Sequence, residues 1–230
     1  VRSDFLDVLM NTISLFGEIL IPLAVITIIY WCIDKKKGFV ITLSILTALM
    51  TTQIVKSIVR YPRPFQAYPE LIHGDRISTA TGYSFPSGHS TLSSSFYPAL
   101  YLAFRTKALL VIAIVLTIMV PVSRLYLGVH WPMDVICGTI IGLSSSILFA
   151  RIADDITKDD ASYRRYSMIY GIAAGIVSLV FTILLTADAV DHTAFSDLAS
   201  NAAIASGAMV GFALESSLVR FRISGEMGKK

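Results

Sequence analysis

Charge is scarce in this sequence, and cysteine scarcer still. Only 15% of the 230 residues are Asp, Glu, Lys or Arg, against 54% hydrophobic residues, and just two are cysteine. So little charge cannot clothe a soluble globule of this size. The net charge of +3 is small and dispersed, which argues against nucleic acid as a partner. Cys32 and Cys137 both lie inside apolar runs and read as small buried hydrophobes, not as a disulfide or metal pair. Alternating strand patterns, low-complexity tracts and Asp-rich or His-rich clusters of ligand spacing are all missing. The start also lacks the basic, short apolar and small-residue pattern of a cleavable signal peptide.

What is present are apolar runs of about 20 residues, the length that crosses about 30 Å of hydrocarbon as a helix. They predict an all-α polytopic membrane bundle of about seven spans, one membrane-embedded domain over residues 1–230 with no soluble domain. A short interfacial helix is expected over residues 3–13 and a first span over 14–33, with Glu18 inside its outer portion. Further spans are expected near 39–59, 87–104, 108–122 and 132–152, and two more within about 167–219. The third is serine-rich and marginal in hydropathy, so it should face protein. Gly138 and Gly142 in the fifth have a spacing that permits close helix packing.

The positive-inside rule orients these spans. Thirteen of the 19 Lys and Arg fall on one set of loops and on the C-terminal tail. The other side holds Arg2, Lys56, Arg60, Arg63, Arg76 and Arg124. The cation-rich side is expected to be cytoplasmic, and the exceptions therefore collect on the outer face.

Those exceptions are informative because of their neighbours. Arg124 is a fixed cation with a forked donor set suited to phosphate or carboxylate. His130 titrates near neutrality, and Pro132 suits the first turn of a helix that would place Asp134 one turn beyond it. A carboxylate so placed can hold the imidazole and fix its tautomer. The plainer reading makes Arg124 and His130 interfacial anchors and Asp134 a helix cap. Lys56, Arg63 and His89 arrive at the same surface, however, and so many cations together favour an anion. Residues 86–89, Pro-Ser-Gly-His, open a helix where free amides and the dipole also favour one, with Ser87 able to donate.

Lys56 and Arg63-Pro64, then Pro86-Ser87-Gly88-His89, then Ser123-Arg124 with His130 and Asp134, resemble the three signature motifs of the type 2 phosphatidic acid phosphatase superfamily. The resemblance covers residues 56–134, every motif position present in order, and the layout of spans is similar to bacterial relatives of sphingosine-1-phosphate phosphatase. It implies a metal-independent phosphatase acting on a lipid phosphate, with the membrane lipid itself as partner. His130 would be the nucleophile, Asp134 its orienting group and His89 the acid and then base. Lys56, Arg63, Arg124, Ser87 and Gly88 would bind phosphate. Glu18 and Gln53 are further candidates for the pocket lining. A polyprenyl diphosphate phosphatase or a lipid phosphotransferase would use the same site. His73, Asp75 and Arg76 on the long loop read as solvated, Arg60 as interfacial, and His192 as having no partner. The location implied is the bacterial plasma membrane, with the site on its extracytoplasmic face.

Overall fold

The computed structural model describes residues 3–221. Among these there is no strand, and the chain folds as nine α-helices joined by short turns and one long connection. α1 (Asp4–Leu15) starts on a Ser3 cap whose hydroxyl accepts the Leu6 N–H. The chain breaks over residues 16–19, and α2 (Leu20–Ile28) runs on into a π turn (Ile29–Ile33). Glu18 therefore sits at a break between two helices that meet at 44°, not within a straight span. α3 (Lys35–Val59) begins on the Asp34 side chain and stops at Arg60 in the left-handed conformation, just before Pro62 and Pro64 forbid its continuation.

The long connection is ordered. It carries a single helical turn, α4 (Pro64–Ala67), and a 3-10 turn (Ile77–Thr79) before α5 (Gly88–Phe104). α6 (Lys107–Tyr126) and α7 (Pro132–Ile156) follow, the latter starting on proline as its sequence demands. α8 (Asp160–Thr186) and α9 (His192–Leu214) form a closing hairpin. The acidic stretch 188–197, which its composition suggests is all connection, is a shorter link, because α9 begins at His192 and Asp197 already belongs to it.

Five helices are long and apolar enough to cross a membrane, and the bent α1–α2 pair makes a sixth. The expected count of seven is not confirmed by length and composition alone, and α5 is the reason. Its 17 residues reach only about 25 Å at 1.5 Å per residue. Its serines and threonine, from Ser90 to Ser95, are buried, so it lies inside the bundle. The outer helices do the reverse: Ile58, Val111, Leu179 and Ile204 are all more than half exposed, as suits a surface wetted by lipid. This also corrects the reading of the cysteines. Cys32 is exposed and Cys137 half-buried, because in a bilayer the outward face of a helix is itself apolar.

α5 is seated by small residues. A Cβ on Gly138 would come within 2.6 Å of the Ser87 carbonyl, and one on Gly142 within 2.5 Å of the Thr91 carbonyl. The two glycines thus let α7 lie backbone-to-backbone against α5, and their spacing serves the bundle interior. Buried hydroxyls on α5 are met locally: Thr91 and Thr52 share a bond of 2.9 Å, and Ser93 and Ser95 donate to carbonyls of their own helix. Gly142→Val should force α5 and α7 apart. The expected outcome is a loss of roughly 1–3 kcal/mol, measured as a lower thermal midpoint of the detergent-solubilised protein, with Gly207→Ala (open space around it) as the neutral control.

Candidate active site

The C-terminal end of α3, the N-terminal ends of α5, α7 and α9, and the segment after α6 meet at one end of the bundle. A cavity of about 330 Å³ opens there. Lys56, Arg63, Gly88, His89 and His130 all line it, with Glu18 and Gln53 on its wall. Asp134, Arg124 and Ser87 stand behind that lining and are buried. The three stretches that resemble signature motifs are thus one site in space.

His130 lies in the segment between α6 and α7 and is bracketed by two partners. Its Nε2 is 3.2 Å from the Arg63 Nη1 and its Nδ1 is 3.2 Å from the Asp134 Oδ2. A guanidinium can only donate, so Nε2 must be the acceptor. The ring proton therefore sits on Nδ1 and is donated to Asp134, which leaves the Nε2 lone pair facing the cavity side. Asp134 is itself fixed: its Oδ2 also accepts from the Ser84 hydroxyl at 2.5 Å and the Trp131 N–H at 2.7 Å. Its backbone carbonyl accepts the Ser87 N–H at 3.0 Å, which ties α7 directly to the start of α5. Burial, with Arg63, Lys56 and Arg124 nearby, pushes the His130 pKa well below its ordinary value, so the ring is neutral at physiological pH.

The cations differ in how they are held. Arg63 is enclosed by carbonyls. Its Nε donates to Gly82, Nη1 to Val129, and Nη2 to Thr81 at 2.6 Å and to Tyr83. It therefore pins the loop over residues 81–83 as well as the histidine. Arg124 donates from Nη1 to the Ser14 hydroxyl at 2.7 Å, while its Nε and Nη2 are buried without a protein partner. Unmet donors of this kind cost about 1–3 kcal/mol each, so an anion that accepted from them would be strongly held. The His89 Nε2 and Gln53 Oε1 are likewise buried and unpartnered. Ser87 turns its oxygen to cap α5, accepting from the Ser90 N–H and hydroxyl, and keeps its own hydrogen to give. A Cβ on Gly88 would meet nothing within 4 Å, so open cavity lies before it at the start of α5.

Several residues of this site are not singled out in the sequence. Arg76, expected in solvent, instead forms a close ion pair with Glu18 and donates to the Asn11 carbonyl. Asp197 on α9 accepts from the Thr81 hydroxyl at 2.8 Å, and Asn201, one turn on, lines the cavity. Asp191 accepts from Tyr83 at 2.8 Å and stands 3.9 Å from Arg60, so Arg60 joins a network instead of merely anchoring the interface. Ser14 and Ser84 hold Arg124 and Asp134. Single serines and acids carry no motif, and only their neighbours in space identify them. His192, expected to lack a partner, lies 2.9 Å from the Asp188 carboxylate.

The His130 tautomer gives a pH test. The unfolded chain binds this proton near pH 6.5, whereas the folded ring resists it. The neutral ring's stability is therefore present above that pH and lost as pH falls toward the folded value. Nitrogen NMR on histidine-labelled protein should show His130 neutral and protonated at Nδ1 at pH 6.5. The wild type should also lose up to about 1.4 kcal/mol per pH unit below it relative to His130→Gln.

Comparison with known proteins agrees with this geometry. The profile of the PAP2 superfamily matches residues 37–158. An undecaprenyl-diphosphatase from Sulfolobus acidocaldarius is 31% identical over 150 residues, covering 64% of this chain and 70% of that protein. Phosphatidylglycerophosphatase B of Bacillus subtilis is 30% identical over 156 residues, 62% of this chain and 73% of that one. The crystal structure of a transmembrane PAP2-type phosphatidylglycerolphosphate phosphatase from Bacillus subtilis superposes with a TM-score of 0.55 and 27% identity, over 68% of this chain and 80% of that chain. With the profile spanning more than half of its length and the fold shared, this integral membrane protein belongs to the PAP2 superfamily.

Proposed function

We propose that this protein is a lipid phosphate phosphatase that works through a phosphohistidine, without a metal ion. The observation that carries the reading is the pair His89 and His130 on one cavity with Lys56 and Arg63, the His130 Nε2 being unprotonated and accepting from Arg63 until a phosphate takes over that donor. A phosphate seated there would accept from Lys56, from the idle Nε and Nη2 of Arg124, from the Ser87 hydroxyl and from the Gly88 N–H. Those donors are fixed before substrate arrives, so they stabilise the charge that builds on the equatorial oxygens without reorganising.

In the first step His130 Nε2 attacks phosphorus in line, the new P–N bond forming as the P–O ester bond breaks. His89 gives its proton to the leaving alkoxide. Asp134 compensates the positive charge that develops on the His130 ring. In the second step His89, now neutral, takes a proton from water as the oxygen attacks phosphorus, and His130 is released. Arg63 has a double part: it holds His130 in the reactive orientation and lends one more positive charge to the cavity.

The cavity wall supports an amphiphilic substrate. Ile19, Leu49 and Leu92 line the same cavity, so an ester's apolar portion has an apolar surface to meet there. Phosphatidic acid, phosphatidylglycerophosphate, sphingoid phosphates and polyprenyl diphosphates all have the required shape. The positive-inside distribution supports an outward-facing site in a bacterial plasma membrane.

His130→Ala and His89→Ala should each lower phosphate release from phosphatidic acid by at least about 10²-fold while eluting as folded protein in detergent. Full activity in either variant removes the mechanism. Wild-type release should persist in EDTA, and strict dependence on added metal would overturn the metal-free reading. Arg124→Lys, which keeps the charge but loses the fork, should cost roughly 10²–10³-fold in kcat.

A further inference from the structure

His89 stands among cations. Arg124, Arg76, Lys56 and the neighbouring His130 all bear on its ring. An acid that must hold a proton before it can give one is poorly served by that company. Among the described residues the carboxylate facing it is Glu18, whose Oε1 lies 4.0 Å from the His89 Nε2. That nitrogen has no protein hydrogen-bond partner and is buried.

The placement of Glu18 is built from several directions. The break between α1 and α2 is held by the Tyr97 hydroxyl, which donates to the Phe16 carbonyl at 2.9 Å. Gly17 has no room for a side chain: a Cβ there would lie 2.7 Å from Val120 and 3.0 Å from the His89 Cβ. The backbone beside Glu18 is thus laid directly on His89. Arg76 then grips the Glu18 carboxylate, and its second fork reaches the Asn11 carbonyl on α1. Glu18 is held on the cavity wall, half-buried and near the ring.

Resting on the phosphohistidine reading above, we propose that Glu18 is the positioning residue that keeps His89 charged for proton donation to the leaving group. It is the acidic neighbour of His89, across 4.0 Å rather than the 3.2 Å hydrogen bond that joins Asp134 to His130, with Arg76 fixing its orientation. Glu18 touches neither phosphorus nor the leaving oxygen. The proton transferred is the one on His89, and none passes through Glu18. The consequence is selective: only esters whose leaving alkoxide needs a proton depend on it. Natural alcohols such as glycerol-based or sphingoid lipids fall in that class.

The test uses the purified full chain and two substrates, a short-chain alkyl phosphate and p-nitrophenyl phosphate, whose phenolate leaves unaided. For Glu18→Gln, kcat/KM on the alkyl ester should fall about 10- to 100-fold. On the aryl ester it should stay within about threefold. The alkaline limb of kcat/KM on the alkyl ester should move to lower pH, because the variant's His89 loses its proton sooner. Glu18→Asp should restore part of the alkyl activity. Equal losses on both esters, or no loss on either, overturn the proposal even if Glu18→Gln folds well. His89→Ala supplies the separating control. It should show the same preference for the aryl ester, and if it strikes both esters alike, the assignment of His89 as the acid falls instead.

Discussion

Three cations buried in a helical bundle are the constraint on which the architecture turns. Lys56, Arg63 and Arg124 are each less than 5% exposed, at a depth where an unmatched charge is costly. Each is handled differently. Arg63 is solvated by backbone carbonyls of the long loop, Arg124 spends one donor on Ser14, and Lys56 has the Asp134 and Asp197 charges in its surroundings. The unused donors on Arg124 are what remain for a tetrahedral anion.

That arrangement requires helix ends to come unusually close, and the helices supply the means. Gly138 and Gly142 bring α7 against the backbone of α5, so the Ser87 amide reaches the Asp134 carbonyl. One contact thereby joins the start of the helix that carries His89 to the helix that carries Asp134. A short, serine-rich α5 suits this role because it has no lipid to face. The hydroxyls of Thr91, Ser93 and Ser95 are satisfied by neighbouring backbone, while that of Ser94 is buried without a partner.

The periphery is shaped for the same end. α1 and the following break supply Ser14, Gly17 and Glu18, and the α8–α9 hairpin supplies Asp191, Asp197 and Asn201. The hairpin lies outside the segment that matches the superfamily profile. The cavity is therefore lined in part by elements that lie outside the segment matching the profile.

The residues themselves made the fold class and the core of the site legible, because hydrocarbon thickness fixes helix length and motif chemistry is local. Apolar runs of a set length, Pro132 at a helix start, and the spacing of Lys56, Arg63, His89, Arg124, His130 and Asp134 needed no coordinates. The number of spans did not follow, since a buried helix such as α5 need not reach across the bilayer. Nor did the break that places Glu18, the neutral tautomer imposed on His130 by Arg63, or the recruitment of Arg76, Ser84 and Asp197. Those depend on which groups become neighbours across fifty or more residues of chain. Burial then decides their charge and bonding, and only packing in three dimensions determines burial.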